Sequence, residues 1–187
     1  MAILEALKEH LPKLSELSLE GLVVENTKDI TQVQGRVAER LVETAIRNTP
    51  EVQFDFPAAN NGFSLKKVSS GIIVLEPPNY APVCEYDFLV RYADRPYIIE
   101  VKSLKLYGFR SKIPFLLSVA RKIYDRQDVG MIICFPFSNQ QRSTVENFES
   151  LEADVHCFNL RYNRKQIKQA NQRYYNERAV NSHSNPI

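Results

Sequence analysis

The stretch EYDFLVRYADRPYIIEVKS, residues 85–103, contains two runs of strand-forming residues joined by a short polar connection. The runs, residues 85–92 and 96–103, are rich in the aromatic and β-branched residues that favour strands. The connection over residues 93–95 is short enough for a hairpin turn. We therefore predict two neighbouring antiparallel strands.

The sequence on either side of this hairpin alternates between helical and strand patterns. Apolar residues recur at helical spacing over residues 31–48, and turn residues such as Asn61-Gly62 separate the strand-like stretches that follow. In chain order, the predicted elements are a helix over 31–48, strand-like stretches over 52–56 and 63–75, the hairpin, a helix over 114–125, a strand over 129–135, a helix over 138–151 and a strand over 155–160. This order predicts an α/β domain with a central mixed β-sheet flanked by helices.

The second strand of the hairpin carries an acid and an amine on the same face. Because successive side chains of a strand point to opposite faces, Glu100 and Lys102 share a face with Ile98. The residues of the opposite face are apolar: Tyr97, Ile99 and Val101. We expect that apolar face to pack against helices and to hold the strand rigid.

Asp87 interrupts an apolar run in the first strand of the hairpin. A buried carboxylate without a partner is costly, so this position requires a counter-charge or a metal ion. The hairpin can bring Asp87 next to Glu100, and two carboxylates at short range repel each other unless a cation or a proton lies between them. Carboxylate oxygens suit Mg²⁺, and we expect Mn²⁺ to substitute for it. The two acids therefore predict a divalent-metal site.

These three charged residues together can support hydrolysis of a phosphodiester. A metal ion held by Asp87 and Glu100 lowers the pKa of a bound water and neutralises charge that builds on the phosphate. Lys102 would lie beside the attacking water or the scissile phosphate and stabilise the transition state. We therefore interpret Asp87, Glu100 and Lys102 as candidate catalytic residues.

An aspartate in one strand, a short hairpin and Glu-x-Lys in the next strand resemble the core motif of the PD-(D/E)XK nuclease superfamily. The matching residues are Asp87 and Glu100-Val101-Lys102. The resemblance implies a restriction-endonuclease-like core, Mg²⁺-dependent endonuclease activity on DNA, and a metal site that includes Asp87, Glu100 and Val101. The chain departs from the motif at Tyr86, which replaces the proline before the aspartate.

The helix predicted over residues 31–48 extends the resemblance to archaeal-type Holliday-junction resolvases. Their first helix carries a glycine followed by a Glu-Arg pair, which is similar to Gly35-Arg36-Val37-Ala38-Glu39-Arg40. The family implies that this glutamate helps to hold the metal, so Glu39 joins the candidate catalytic and metal-binding residues. At about 100° per residue, Glu39 lies at the edge of the apolar stripe and Glu43 lies farther towards solvent. We therefore prefer Glu39.

The resolvase resemblance also implies a substrate and a partner. The implied substrate is branched DNA like a Holliday junction, and a homodimer is implied because resolvases cut two strands symmetrically. Ser103, Lys105 and Arg36 are predicted to contact the nucleic acid. Two alternatives stay open: an inactive nucleic-acid-binding or protein-interaction module on the same fold, and a repair- or restriction-type nuclease for linear or single-stranded DNA.

Both ends of the chain fall outside this resemblance. Residues 1–30 form a predicted N-terminal helical extension whose leucines, spaced three and four residues apart, either pack on their own domain or mediate dimerisation. Residues 161–187 form a predicted basic C-terminal tail with interleaved tyrosines. That composition is typical both of a surface that binds phosphates and stacks bases and of a solvated helix.

The composition indicates one domain over residues 1–187, because 44% hydrophobic residues suffice to bury a core. The net charge of +2 does not by itself indicate a polyanionic partner. No glycine-rich phosphate loop is present, so we expect no nucleotide cofactor. No apolar run is long enough to span a membrane, and the N-terminus, with Glu5 and Glu9, does not resemble a secretion signal. We expect an intracellular protein without a membrane partner.

Overall fold

The helices and strands follow the hydrophobic pattern of the sequence over most of the chain. The computed structural model describes residues 2–20, 22, 30–57, 61–69, 71–102, 108–136, 148–149, 151, 153–159, 162 and 164–183. The helices are α1 (Ala2–Glu9), α2 (Ile30–Asn48), α3 (Ile113–Tyr124) and α4 (Arg164–His183). The strands are β1 (Val52–Phe54), β2 (Ser64–Val68), β3 (Gly71–Glu76), β4 (Ala81–Tyr86), β5 (Phe88–Tyr92), β6 (Arg95–Val101), β7 (Gly130–Phe135) and β8 (Val155–Asn159).

A five-stranded mixed sheet forms around the predicted hairpin, in the order β1-β5-β6-β7-β8. Strands β5 and β6 are antiparallel and joined through Ala93 and Asp94, whose φ angles of 46° and 62° are those that a tight two-residue hairpin turn requires. Strands β7 and β8 continue the sheet parallel to β6, and α3 lies in the crossover between β6 and β7. The predicted α/β class with a mixed sheet is confirmed.

Alternate residues of β6 are buried in two separate hydrophobic cores. Ile99 and Val101 pack with residues of α1, α2 and α4, whereas Ile98 packs with α3 and the second sheet. Strand β7 is buried along its whole length, as expected for a central parallel strand covered on both faces. The double burial holds β6 rigid, and Glu100 therefore projects from a strand that has little freedom to move.

The predicted first hairpin strand, residues 85–92, is wrong as a single element. Strand β4 ends at Tyr86 in a three-stranded antiparallel sheet of order β2-β3-β4, and β5 begins at Phe88 in the larger sheet. Tyr86 pairs with Ile72 of β3, and its fully buried hydroxyl donates a hydrogen bond to the Leu116 carbonyl at 2.9 Å. The chain therefore leaves one sheet and enters the other at Asp87.

The predicted helices and later strands are confirmed with small changes of boundary. Helix α2 begins one residue before the predicted position, and α3 ends at Tyr124, where Asp125 caps it in the left-handed conformation. The strand-like stretch 63–75 consists of two strands, β2 and β3, paired as a hairpin. The helix predicted over 138–151 lies almost wholly outside the described residues. None of the helices within the described ranges combines the length and apolar character that a membrane crossing requires.

The leucines of the N-terminal extension pack within their own chain. The extension is helical in α1, and the following segment to residue 20 contains turns. The buried residues of this region join the core formed with α2: Ile3, Leu4, Leu7, Leu14, Leu17 and Leu19. Of the two interpretations of the leucine spacing, packing on the same domain is therefore confirmed.

The predicted basic tail contains a long helix, α4, that is tied to the N-terminal segment. Tyr174 is buried in the core beside α2. The Arg173 guanidinium donates hydrogen bonds to the main-chain carbonyls of Leu14, Ser15 and Leu17, at 2.7–3.0 Å. These two residues of α4 therefore serve packing, which neither interpretation of the tail, a nucleic-acid surface or a solvated helix, had predicted.

We predict that Gly71→Ala destabilises the fold because a Cβ atom at Gly71 would collide with the main-chain carbonyl oxygen of Tyr86. Overpacking of this kind costs about 1–3 kcal/mol, which lowers the melting temperature by about 2–4 °C per kcal/mol in a domain of this size. Thermal unfolding followed by circular dichroism measures the loss. Gly62→Ala is the control: Gly62 also has a positive φ, but no atom lies within 4 Å of its added Cβ. Equal losses in the two variants would contradict the close approach at Tyr86.

Candidate active site

Asp87 lies opposite the end of β6, where the main-chain pairing of β5 with β6 stops. The last pair is Phe88 with Ile99, so Asp87 is the next residue along β5 towards Glu100. The Asp87 carboxylate accepts a hydrogen bond from the Val101 N–H, with 2.6 Å between Oδ2 and the nitrogen. Its side chain is 16% exposed. Asp87 is therefore anchored to β6 and still reaches the surface.

Lys102 brings an ammonium group between two carboxylates. Its Nζ lies 2.8 Å from Oε2 of Glu100 and 3.7 Å from Oδ2 of Asp87. The ammonium also lies 4.6 Å from the centre of the Phe109 ring, which gives a cation–π contact. Because side chains alternate between the two faces of a strand, Glu100 and Lys102, two residues apart, point to the same face. The structure thus brings together Asp87, Glu100 and Lys102, which we call the charged cluster.

Helix α2 adds a further carboxylate beside the charged cluster. The Glu39 carboxylate accepts a hydrogen bond from the Arg36 guanidinium, with 2.7 Å between Oε2 and Nη1. The negative charge of Asp87 raises the pKa of Glu39. Glu43, one turn later, pairs with Arg47 at 2.7 Å. The structure therefore favours Glu39 over Glu43 as the helix carboxylate of the site.

Burial raises the pKa values of the carboxyl groups in this site. It raises the pKa of Glu100 and that of Glu39 to about 7, and the charge of Asp87 adds to both shifts. Burial also raises the pKa of Asp87, against the lowering effect of Lys102. Burial alone would lower the pKa of Lys102, but Asp87 and Glu100 turn the net shift upward. Glu39 and Glu100 are therefore partly protonated near neutral pH.

The Oε1 atom of Glu100 is the feature that best fits a metal ion. It is buried and makes no hydrogen bond within the described residues, although a buried carboxylate oxygen without a partner is costly. Carboxylate oxygens are the ligand type that Mg²⁺ and Mn²⁺ prefer. In the described ranges, however, no three acidic, histidine or cysteine side chains are already arranged as a metal-binding group. Lys102 lies between Glu100 and Asp87, so a metal ion shared by both requires Lys102 to move aside.

Two adjoining clefts reach Asp87 of the charged cluster, and Glu100 and Lys102 line neither of them. The polar cleft, of about 290 Å³, is lined by Gln32, Gly35, Arg36, Glu39, Glu85 and Asp87. The second cleft, of about 380 Å³, lies between α2, the start of β5 and the β2–β3 hairpin. Arg36, Glu39 and Asp87 line both. The border between the clefts is therefore formed by predicted site residues.

The remaining predicted site residues have different outcomes. Val101 adjoins the charged cluster through the N–H that it donates to Asp87. Arg36, a predicted nucleic-acid contact, lines both clefts and pairs with Glu39. Ser103 and Lys105 lie outside the described residues.

Sequence analysis missed the aromatic residues around the site. Phe109 supports the Lys102 ammonium, and Phe54 and Phe56 line the second cleft. Phe109 stands in the connection after the Glu-x-Lys motif, where no periodicity marks it. The only local signal for the other two was the run Phe54-Asp55-Phe56, which also fits an ordinary strand.

We predict that Glu100→Gln raises the melting temperature more at pH 8 than at pH 5. Because the folded-state pKa of Glu100 is raised to about 7 from 4.5, ionisation of Glu100 removes stability as the pH rises through this window. The neutral amide avoids that loss. The gain at pH 8 should exceed that at pH 5 by about 3 °C or more, the shift that about 1 kcal/mol produces in a domain of this size.

Differential scanning fluorimetry at both pH values measures this difference. Glu16→Gln is the control, since Glu16 forms an exposed ion pair with Lys13 and should show the same small change at both pH values. A Glu100→Gln variant whose melting temperature shifts equally at pH 5 and pH 8 would contradict the raised pKa.

Comparisons with known proteins leave the family open. No protein-family model matches the chain, and no curated protein matches it. Among solved structures, the chain is similar to protein VC1899 from Vibrio cholerae, with 13% sequence identity and a TM-score of 0.39. The similarity covers 78% of this chain and 35% of that protein, so the chain spans about a third of its length. A likeness of this size supports no conclusion about fold or function.

Proposed function

We propose that this protein is a metal-dependent endonuclease that hydrolyses phosphodiester bonds in DNA on a restriction-endonuclease-like core. The observation that carries the proposal is the charged cluster, in which one ammonium lies within 4 Å of each of two carboxylates at the junction of two sheets. Glu100 is 3% exposed, and a glutamate that served only in a surface ion pair would not be buried so deeply. The orphaned Oε1 of Glu100 and the adjoining clefts add support.

Asp87, Glu100, Glu39 and Val101 are the residues that would hold the metal ion, Mg²⁺ or Mn²⁺. When bound, the ion supplies a water of lowered pKa and neutralises charge on the phosphate. The hydrogen bond from Val101 keeps the Asp87 carboxylate oriented. Glu39 and Glu100, with pKa values near 7, release their protons when positive charge arrives.

Lys102 has two tasks in this proposal. Before substrate binds, its ammonium neutralises Glu100 and Asp87. Once it moves off Glu100, it donates to a phosphate oxygen or orients the attacking water, and thereby stabilises the charge of the transition state. The Phe109 ring, 4.6 Å from the ammonium, adds a cation–π contact to its present position.

The resolvase resemblance gives this proposal its substrate and assembly. Four-way-junction DNA is the implied substrate, and a homodimer would place two sites for cleavage of two strands. Size-exclusion chromatography with light scattering tests the dimer, and a DNA panel tests the substrate.

A second candidate is an inactive nucleic-acid-binding or protein-interaction module on the same fold. The observation that favours it is the position of Lys102, which already compensates both carboxylates. In such a module the charged cluster would serve only to join β5 to the end of β6.

We predict that the protein cleaves DNA in Mg²⁺ or Mn²⁺ and not in chelator. The panel contains plasmid, linear duplex, single-stranded and four-way-junction DNA, and gel electrophoresis measures the products. Asp87→Asn and Lys102→Ala should each lower cleavage at least about 100-fold, because each removes a charge that acts in the transition state. Binding of labelled DNA, measured by fluorescence anisotropy, should be retained.

Matched controls separate catalysis from folding. Asp94→Asn makes the same substitution in the turn of the same hairpin, where the side chain is 84% exposed, and should leave cleavage unchanged. Lys112→Ala does the same for lysine, at an exposed position before α3. Full activity in Asp87→Asn or Lys102→Ala would refute the proposed site. A folded wild-type protein that cuts no DNA in any condition would favour the inactive module.

A further inference from the structure

The second cleft beside the charged cluster is aromatic on one side. Phe54, Phe56 and Phe88 line it, and we call it the aromatic cleft. Its apolar surface continues through Val68 and Ile72 of the β2–β3 hairpin. The cleft reaches Asp87, so an occupant would lie next to the proposed reaction centre.

Two phenylalanines are exposed at this cleft although exposure of large apolar rings is unfavourable. Phe54 is 43% exposed and Phe56 is 51% exposed. The Phe54 ring is held in place: its centre lies 6.1 Å from that of Phe88, and the Arg47 guanidinium lies 5.0 Å from its centre. The cleft thus presents to solvent one ring held by its neighbours, Phe54, and a second, more exposed ring, Phe56, which is the one left open to stack a planar ligand.

The charges around the aromatic cleft are balanced. Its cations are Arg36, Arg40, Arg47 and Lys67, and its carboxylates are Glu39, Glu43, Asp55 and Asp87. Several of them pair with one another, as Arg36 does with Glu39. A groove that follows a duplex backbone is strongly positive, which this cleft is not. The balance suits a ligand with an apolar planar part and few phosphates.

The size of the aromatic cleft limits the ligand further. About 380 Å³ is near the lower end of the range of about 300–1,000 Å³ for small-molecule sites. A cleft of this volume accepts one planar ring system with its sugar. Bases in a duplex have their faces covered by neighbours, so a base can enter such a cleft only when it is unpaired and unstacked.

We propose that the aromatic cleft binds one unpaired base of the DNA substrate, stacked on Phe56, while the adjacent phosphate lies at the Asp87 end of the cleft. This inference rests on the proposed nuclease function and names its substrate class: DNA with unpaired nucleotides beside the cleaved bond, such as a single strand, a gap or an open junction. Continuous duplex is a poor substrate. Phe56 is a specificity-determining residue that positions the strand.

Binding can be tested without catalysis by tryptophan fluorescence. The chain contains no tryptophan, so one introduced by substitution reports on its own position alone. Phe56→Trp introduces a single tryptophan into the aromatic cleft, excited at wavelengths that the tyrosines do not absorb, and an oligothymidylate of about 15 nucleotides is titrated in chelator. We expect quenching by the single strand and little by a duplex of the same length, because a stacked base quenches indole emission. Phe115→Trp is the control. The exposed fraction of Phe115, 49%, is similar to that of Phe56, but Phe115 lies on α3 and does not line the cleft. It should show no quenching.

Cleavage gives the second test. Phe56→Ala should lower kcat/KM on a gapped substrate about 5- to 150-fold, the range expected for one stacked base. An abasic nucleotide next to the cleaved bond should cause a similar loss in the wild-type protein. Combined, the two changes should cost little more than either alone, because both remove the same contact. Circular dichroism confirms that Phe56→Ala is folded.

The outcomes distinguish this inference from the proposed function. Quenching of Phe56→Trp by single strands in a protein that cuts no DNA supports base binding and rejects the nuclease. Cleavage with no quenching, or with equal quenching by duplex, overturns the base site and leaves the nuclease proposal intact. Additive losses from Phe56→Ala and the abasic nucleotide would also overturn it.

Discussion

The hydrogen bond from the Val101 N–H to the Asp87 carboxylate fixes the start of β5 to the end of β6, at the point where main-chain pairing stops. Strands β5 and β6 pair as far as Phe88 and Ile99, and the Asp87 side chain takes the next donor of β6. On the other side of Asp87, the chain belongs to the three-stranded sheet. The Asp87 side chain therefore continues the pairing of β5 with β6 by one hydrogen bond, at the residue where the chain passes from one sheet to the other. The same side chain carries a candidate catalytic group. The Val101 N–H and the Lys102 ammonium thus give Asp87 the partners that a charge needs among apolar strands.

The electrostatics of the site follow from how deeply Glu100 is placed. Strand β6 is covered on both faces, so Glu100 lies in a low-dielectric setting and depends on Lys102 for compensation. The single ammonium serves Asp87 as well, while Glu39 stands nearby with its own arginine. Asp87 and Glu100 thus share one ammonium, that of Lys102, and a divalent cation would supply the positive charge that is lacking.

Local rules were sufficient to predict the hairpin and the meeting of Asp87 with Glu100. A tight turn sets the register of two strands, and alternation sets the faces, so neither step needs distant contacts. The division of residues 85–92 between two sheets could not be predicted in this way, because it depends on the pairing of Tyr86 with Ile72 in β3. The aromatic cleft was missed for the same reason: Phe54 and Phe56 lie far from Asp87 in sequence, and only packing of α2, β1 and the β2–β3 hairpin brings them together.

The hydrogen bonds of Arg173 to the N-terminal segment affect when that segment can complete its folding. The Arg173 guanidinium bonds to carbonyls that are 156–159 residues earlier. During synthesis on the ribosome, the segment after α1 therefore cannot form these hydrogen bonds until α4 has emerged. Contacts between such distant positions slow the approach to the native state, so completion of this region is a late event in folding.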